Sequence, residues 1–424
     1  MKKKVIIRGP ILTRTGYGEQ ARFAFRALKS RPDLFDVYVM PTNWGHTGWT
    51  VEDDENRREL DQIIRETPIY INECNEAQVQ PFDISIQVTI PQEWEPLAAN
   101  NIGFTAGTET THISANWIEK SNEVDRIIVV SEHTRSGFVN TEYNAKARNG
   151  ADVVLRCATP VDVVNFPVKH VEPEELDFEP STEFNFLTVA QWSPRKNLEH
   201  TVKWFIEEFI DNENVGLILK ANIAKNCLLD RVAINQRLSE LTAKYPDRKC
   251  KIYLLHGNLT DEEMAGLYQH PKVKALVNIA HGEGFGLPMF EAAANALPIV
   301  APNWGGQKDY LSAEVTTKRK GKKTTKTRCL ATKVDYTLGP IQAEAVWENV
   351  LIPESSWCYP TKTAYKKALQ TVYKNHNRMV SDAKKLQASI VENFSEENQI
   401  EKFVDSVLKT TGASSSEFSK VVTL

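Results

Sequence analysis

Two carboxylates eight residues apart, Glu283 and Glu291, bracket the part of this chain best suited to chemistry. Gly284, Phe285 and Gly286 follow the first acid, and Pro288 stands where a helix would begin. A glycine turn lets backbone N–H groups approach a ligand closely. Proline suits a first helical turn, where its missing N–H would be unpaired anyway. The apolar run 275–280 reads as a buried strand and 287–296 as an Ala-rich helix. Strand, glycine loop and helix N-terminus make a natural seat for an anionic or phosphorylated ligand. One acid lies in the loop and the other inside the helix.

This segment resembles the glycosyltransferases of the GT-B fold, in the large retaining group with a Glu-x7-Glu motif. The motif here is Glu283-Gly-Phe-Gly-Leu-Pro-Met-Phe-Glu291. The resemblance covers residues 184–312 strongly and 1–165 more loosely. It implies that Glu283 contacts a donor sugar and that Glu291 binds the nucleotide ribose, with Gly284, Phe285, Gly286 and Leu287 forming the loop between them. Without that match the pair would read as a surface acid and a helix salt bridge.

A departing nucleoside diphosphate needs compact positive charge, best supplied by fixed cations in a dry cleft. In the family an Arg and a Lys follow the first strand of the second domain. This chain reads Val189-Ala-Gln-Trp-Ser-Pro-Arg-Lys-Asn197 there. Lys196 matches the family lysine, Gln191 stands where the arginine is expected, and Arg195 is the candidate replacement. A solvated basic turn is the alternative. Gly16 and Gly18, in the loop 9–18 before a helix expected near Glu19, match the family's glycine-rich phosphate loop; they also fit a plain turn. The backbone of Gly257, Asn258 and Leu259 falls where the family recognises the base, so UDP- and GDP-sugars both stay open as donors. The family histidine after strand 102–105 has no clean counterpart. Glu109 and His112 are the nearest candidates, Glu109 for stabilising the reacting sugar and either for orienting the acceptor; histidine changes charge near neutral pH. A helix-capping role for this Thr/Glu cluster is the alternative. His133 reads as a surface helix residue.

These residues must be positioned by two α/β units. Apolar strands are expected at 5–7, 37–40, 84–90, 102–105 and 127–130, with 153–155 ending the first half. Continuous apolar strands alternating with helices argue for parallel sheets covered on both faces. The acidic stretch 170–183 reads as a linker with little to bury. The pattern restarts with strands at 184–190, 215–220, 251–257, 275–280 and 298–301, a helix over 198–209, and a capping box from Thr260 to Glu263. The expected organisation is two doubly wound Rossmann-like domains facing across a cleft, residues 1–169 and 184–394, with a basic insertion at 316–328. A terminal helix in 395–424 would cross back to the first domain and end in a Ser-rich tail.

At 424 residues, two domains are the natural division, since single cores stop growing near ~250–300 residues. A net charge of -4 gives no global attraction to nucleic acid or membrane. The six cysteines show no metal-ligand spacing and read as reduced thiols. No apolar run approaches the ~20 residues of a membrane helix. A cytoplasmic enzyme is expected.

The resemblance implies retention of anomeric configuration, no metal and no cofactor beyond the nucleotide-sugar substrate. The acceptor is not legible. From Lys318 to Arg328, seven of eleven residues are basic, a patch that would attract phosphate backbones. That keeps DNA open as an acceptor through a DNA-modifying activity of the same chemistry, with phosphorylated sugars, anionic lipids and glycans as other acceptors, and also a plain nucleic-acid-associated module. Gln191 and the missing histidine keep open a catalytically silent sugar-nucleotide-binding protein, while the Glu283–Leu287 loop argues against an epimerase. Trp44 and Trp49 could stack on a sugar or base, or pack beneath a loop.

Overall fold

Apolar strand runs alternate with helices along the chain, and a computed structural model shows how they assemble; it describes residues 2–45, 47–146, 150–319 and 322–411. In the first lobe β1 (Lys3–Gly9) leads into α1 (Gly16–Lys29) and β2 (Phe35–Pro41) into α2 (Glu55–Glu76). Next come β3 (Ile84–Gln87), β4 (Asn100–Thr105), α3 (Ala115–Ser121), β5 (Arg126–Val129) and α4 (Glu132–Asn140). After the hairpin β6 (Glu142–Lys146) and β7 (Asp152–Arg156), β8 (Val161–Val163) completes the six-stranded sheet, in the order β2-β1-β3-β4-β5-β8. Every pairing in this sheet is parallel. All four residues of β3 are buried, as strands covered on both faces require.

Helix starts follow side-chain capping. Thr15, Asp54, Ser114 and Ser131 each accept a hydrogen bond from a first-turn N–H of α1, α2, α3 and α4. Ala21, Phe23, Ala24, Ala27 and Leu28 form the buried stripe of α1.

The second lobe repeats the plan with β9 (Phe184–Gln191), α5 (Leu198–Phe209), β10 (Val215–Asn222), α6 (Leu228–Thr242) and β11 (Lys251–Leu255). It continues through α7 (Asp261–Gln269), β12 (Val273–Val277), α8 (Leu287–Ala294) and β13 (Ile299–Pro302). The hairpin β14 (Ser312–Arg319) and β15 (Lys322–Cys329) precedes β16 (Thr332–Val334), and a second hairpin pairs β17 (Tyr336–Pro340) with β18 (Ser356–Pro360). The sheet order is β11-β10-β9-β12-β13-β16, again all parallel. Helices α9 (Lys362–Lys374) and α10 (His376–Asn393) follow, and α11 (Glu396–Thr410) returns to the first lobe against α1 and β4. There Phe403 packs its ring against Phe23 and Phe104, at 5.6 and 5.3 Å between centroids.

Several expectations are corrected. Helix α1 begins at Gly16, not near Glu19, because Thr15 caps it; Gly16 and Gly18 therefore lie in its first turn. Residues 153–155 belong to a largely exposed antiparallel hairpin, and β8 is the strand that closes the first sheet. The stretch 170–183 holds no helix or strand and joins the two lobes, though part of it is packed rather than free. Phe178 packs against Tyr253 and His270, and the Glu174 N–H donates to the Glu262 carbonyl. The basic insertion contributes to the β14–β15 hairpin; Lys320, Gly321 and the tail 412–424 lie outside the described residues. No helix of the described residues is long and apolar enough to cross a membrane. All six cysteines are free.

Candidate functional site

The strand ends of the two sheets face one another across a cleft of about 860 Å³. That volume lies within the range of small-molecule sites. Ligands of open α/β sheets bind beyond the carboxyl ends of the strands. The lobes touch closely on one side of the cleft. Ser131 Oγ donates to the Gly284 carbonyl at 2.6 Å, and Asp309 accepts from the Glu132 N–H and from Asn165 Nδ2 at 3.0 and 2.9 Å. A Cβ at Gly284 would sit 2.8 Å from the Ala106 carbonyl oxygen, so this position demands glycine for the lobes to meet.

Glu283 lies at the centre, only 5% exposed. The Lys196 ammonium is 2.6 and 2.7 Å from its two oxygens, Arg195 Nη1 is at 3.2 Å and Asn278 Nδ2 donates at 2.9 Å. Burial pushes the Glu283 carboxyl up, but the charges of Lys196 and Arg195 and the bonds from Lys196 and Asn278 outweigh it and hold it at about 2. Burial pulls the Lys196 ammonium down, against the charge of Glu283. Arg195 also donates to the Gly282 carbonyl at 2.7 Å and pairs with Glu109 of the first lobe at 3.1 Å. Local chain geometry fixes this cluster. Pro194–Lys196 is a single 3-10 turn, and Asn197, at φ 54, reverses the chain into α5.

Glu291 stands on α8 beyond a turn in which Gly286 takes φ 89. Left-handed backbone of this kind favours glycine. No side chain caps α8, which leaves its N-terminus to the cleft. Burial pushes the Glu291 carboxyl up to about 7, opposed by the Tyr268 hydroxyl at 2.9 Å and by the charge of Lys169. Lys169 itself bridges Glu19 at 3.3 Å and Asp261 at 3.0 Å, one from each lobe. A buried carboxyl with a raised pKa favours the folded state fully below its unfolded value, near 4.5, and loses that contribution as pH rises through about 7. Glu291→Gln should therefore flatten the decline in thermal midpoint between pH 5 and 8; an unchanged profile would remove Glu291 as its source.

Gly16, Arg195, Lys196, Gly257, Asn258, Leu259, Glu109, Glu283, Gly284, Phe285, Gly286, Leu287 and Glu291 all line the cleft. Gly18 and His112 are not among its lining residues. Gly18 has a packing role, since a Cβ there would collide with Thr13. His112 is exposed, with its backbone N–H bonded to Ser355 Oγ at 2.9 Å. Gln191 lines the cleft and donates its side-chain amide to the Ile223 carbonyl, short of the cationic role of an arginine. His133 is not a free surface residue: its ring meets Trp304 at 4.8 Å, and burial with the charge of Lys308 lowers its pKa to about 4. Trp44 lines the cleft beside Tyr17, at 4.7 Å between centroids, whereas Trp49 is exposed. Among the described residues, none of the β14–β15 hairpin lines the cleft, and no group of His, Cys, Asp or Glu side chains is arranged to hold a metal ion.

Sequence reasoning passed over Arg14, Lys169 and Lys220, which also line the cleft. Lys220 carried a signal: it is the charge that ends the apolar run of β10, at the carboxyl end where such sheets bind ligands.

No family model matches the chain. Over 116 residues it is 30% identical to the serotype-specific mannosyltransferase WbdA of Escherichia coli; the stretch is 27% of this chain and spans 13% of the length of that protein. The sucrose-phosphate synthase of Thermosynechococcus elongatus superposes with a TM-score of 0.60 at 13% identity, covering 97% of this chain and 100% of that one. A UDP-forming alpha,alpha-trehalose-phosphate synthase of Burkholderia xenovorans gives 0.59 at 12% identity, with the same coverage. Two parallel α/β lobes across a cleft, matched over nearly the whole chain, define the GT-B fold.

Proposed function

We propose that this protein is a glycosyltransferase that moves a sugar from a nucleoside-diphosphate sugar to a hydroxyl acceptor, with retention of configuration. The observation that carries the reading is the cluster of Lys196, Arg195 and Glu283 beside the uncapped N-terminus of α8, with Glu291 further along the helix. Cations and a helix N-terminus stabilise the diphosphate as its charge grows on departure. Glu291 would accept hydrogen bonds from the ribose, and the turn at Gly257–Leu259 would meet the base. In this reading the leaving phosphate oxygen takes the acceptor proton on the face from which it departs. Glu109, reaching Arg195 from the first lobe, would orient the acceptor hydroxyl. The fixed cations would serve without a bound metal. The partial match to a mannosyltransferase and the names of the structural neighbours agree with this chemistry.

The test is release of free nucleotide from UDP- and GDP-sugars, with calorimetric binding of UDP and GDP alongside. Binding without release from any common donor would favour a silent binding protein, and absence of both would end the proposal. Glu291→Ala should weaken nucleotide affinity roughly tenfold, as loss of a buried hydrogen-bond partner does; equal affinity would place the ribose elsewhere.

A further inference from the structure

Among the described residues lining the cleft, five carry full positive charge: Arg14, Lys169, Arg195, Lys196 and Lys220. Four of them have carboxylate partners. Arg195 and Lys196 hold Glu283, Lys169 holds Glu19 and Asp261, and Arg14 reaches the half-exposed Glu52 at 2.8 Å. Lys220 differs, because among the described residues its ammonium meets only the Gly257 carbonyl. Burial and the charge of Arg14 push its pKa down to about 8, against the opposing charge of Glu263, whose carboxylate is engaged in capping α7. Arg14 follows β1 in the first lobe and Lys220 lies near the carboxyl end of β10 in the second, so the cleft receives these two like charges from opposite lobes. Arg14 Nε is also buried without a partner. A desolvated lysine beside an arginine is unfavourable unless an anion joins them.

We propose that Lys220 and Arg14 form an anion subsite joining the lobes, separate from the Arg195–Lys196–α8 cradle, and that it takes a phosphate or carboxylate carried by the sugar acceptor. The assignment to an acceptor rests on the glycosyltransferase reading above; the anion site does not. Trp44, lining the same cleft after β2, offers a flat apolar face for the ring of such an acceptor. A lysine serving only to tether the Gly257 turn would show no anion selectivity.

Inorganic phosphate titrated calorimetrically into the full chain saturated with UDP, or with GDP if that is the nucleotide bound, should bind saturably. Lys220→Met and Arg14→Met should each weaken that binding at least tenfold, Lys220→Arg should restore it, and UDP affinity of Arg14→Met should stay within about twofold of the parent. In transfer assays a hexose phosphate or a hexuronate should exceed the neutral hexose at least tenfold in kcat/KM, and both methionine variants should erase that preference. The better acceptor identifies the anion. Phosphate binding that vanishes with UDP present, or that survives both substitutions, overturns the subsite. Equal use of charged and neutral acceptors overturns its assignment to the acceptor. If neither UDP nor GDP binds, the glycosyltransferase reading falls, yet phosphate titrated into Lys196→Met still reads the subsite. Binding kept there and lost in Lys220→Met supports it, and the reverse sinks it.

Discussion

Replacing Lys196 with methionine should slow sugar transfer roughly 10²–10³-fold, the usual loss when one fixed stabilising group is removed from a reacting centre. The ammonium has two jobs in the cleft. It sits 2.6 Å from Glu283, and in the proposed reading it would also meet the donor diphosphate. Its loss leaves Glu283 with Arg195 and Asn278 as its remaining partners. Removing one member of a buried ion pair typically destabilises a protein by ~3–5 kcal/mol. Arg195 softens that cost here, so the variant should fold with a lowered denaturant midpoint. Single-turnover rates and urea titrations separate the two effects. A variant that transfers sugar at the parental rate would show that the diphosphate is held elsewhere.

The second large effect is expected at Glu283. Glu283→Gln removes an anion that the cations Lys196 and Arg195 now neutralise. Those cations then become available to a diphosphate, so UDP or GDP should bind more tightly, by about tenfold, while transfer falls by roughly 10²-fold or more. The same change alters acid stability. A carboxyl held at about 2 stabilises the fold above its unfolded value, near 4.5, and that contribution is lost as pH falls through about 2. The parent should therefore lose stability between pH 4.5 and 2, and Glu283→Gln should show a flatter acid limb from a lower starting point. Weaker nucleotide binding in this variant, or an unchanged acid limb, would contradict the charge arrangement described here.

What was legible in the sequence was local. The α8 turn could be read because glycine at φ 89 and proline in a first helical turn follow from the chemistry of single residues. Strands of β3, β9 and β10 were legible because both faces are buried and the apolar runs are continuous. Helix α2 was missed because its buried positions are few, Leu60, Thr67 and Cys74, and Pro68 interrupts it. The early start of α1 was hidden by two glycines, which are poor helix formers, and by a cap supplied by Thr15. Pairings across the cleft, such as Glu109 with Arg195 or Lys169 with both Glu19 and Asp261, join residues far apart in the chain. Spacing carries no record of them. His112 fell outside the cleft for a related reason: the β17–β18 hairpin brings Ser355 to bond its backbone, and no local pattern announces that contact.

The returning helix α11 has a consequence for the order of events during synthesis. Phe403 fills the space between Phe23 and Phe104, whose own partners are made hundreds of residues earlier. Until the stretch around Phe403 has left the ribosome, the sheet of the first lobe lacks the ring that packs against Phe23 and Phe104. The nascent first lobe therefore has to wait for a plug supplied from beyond the whole second lobe.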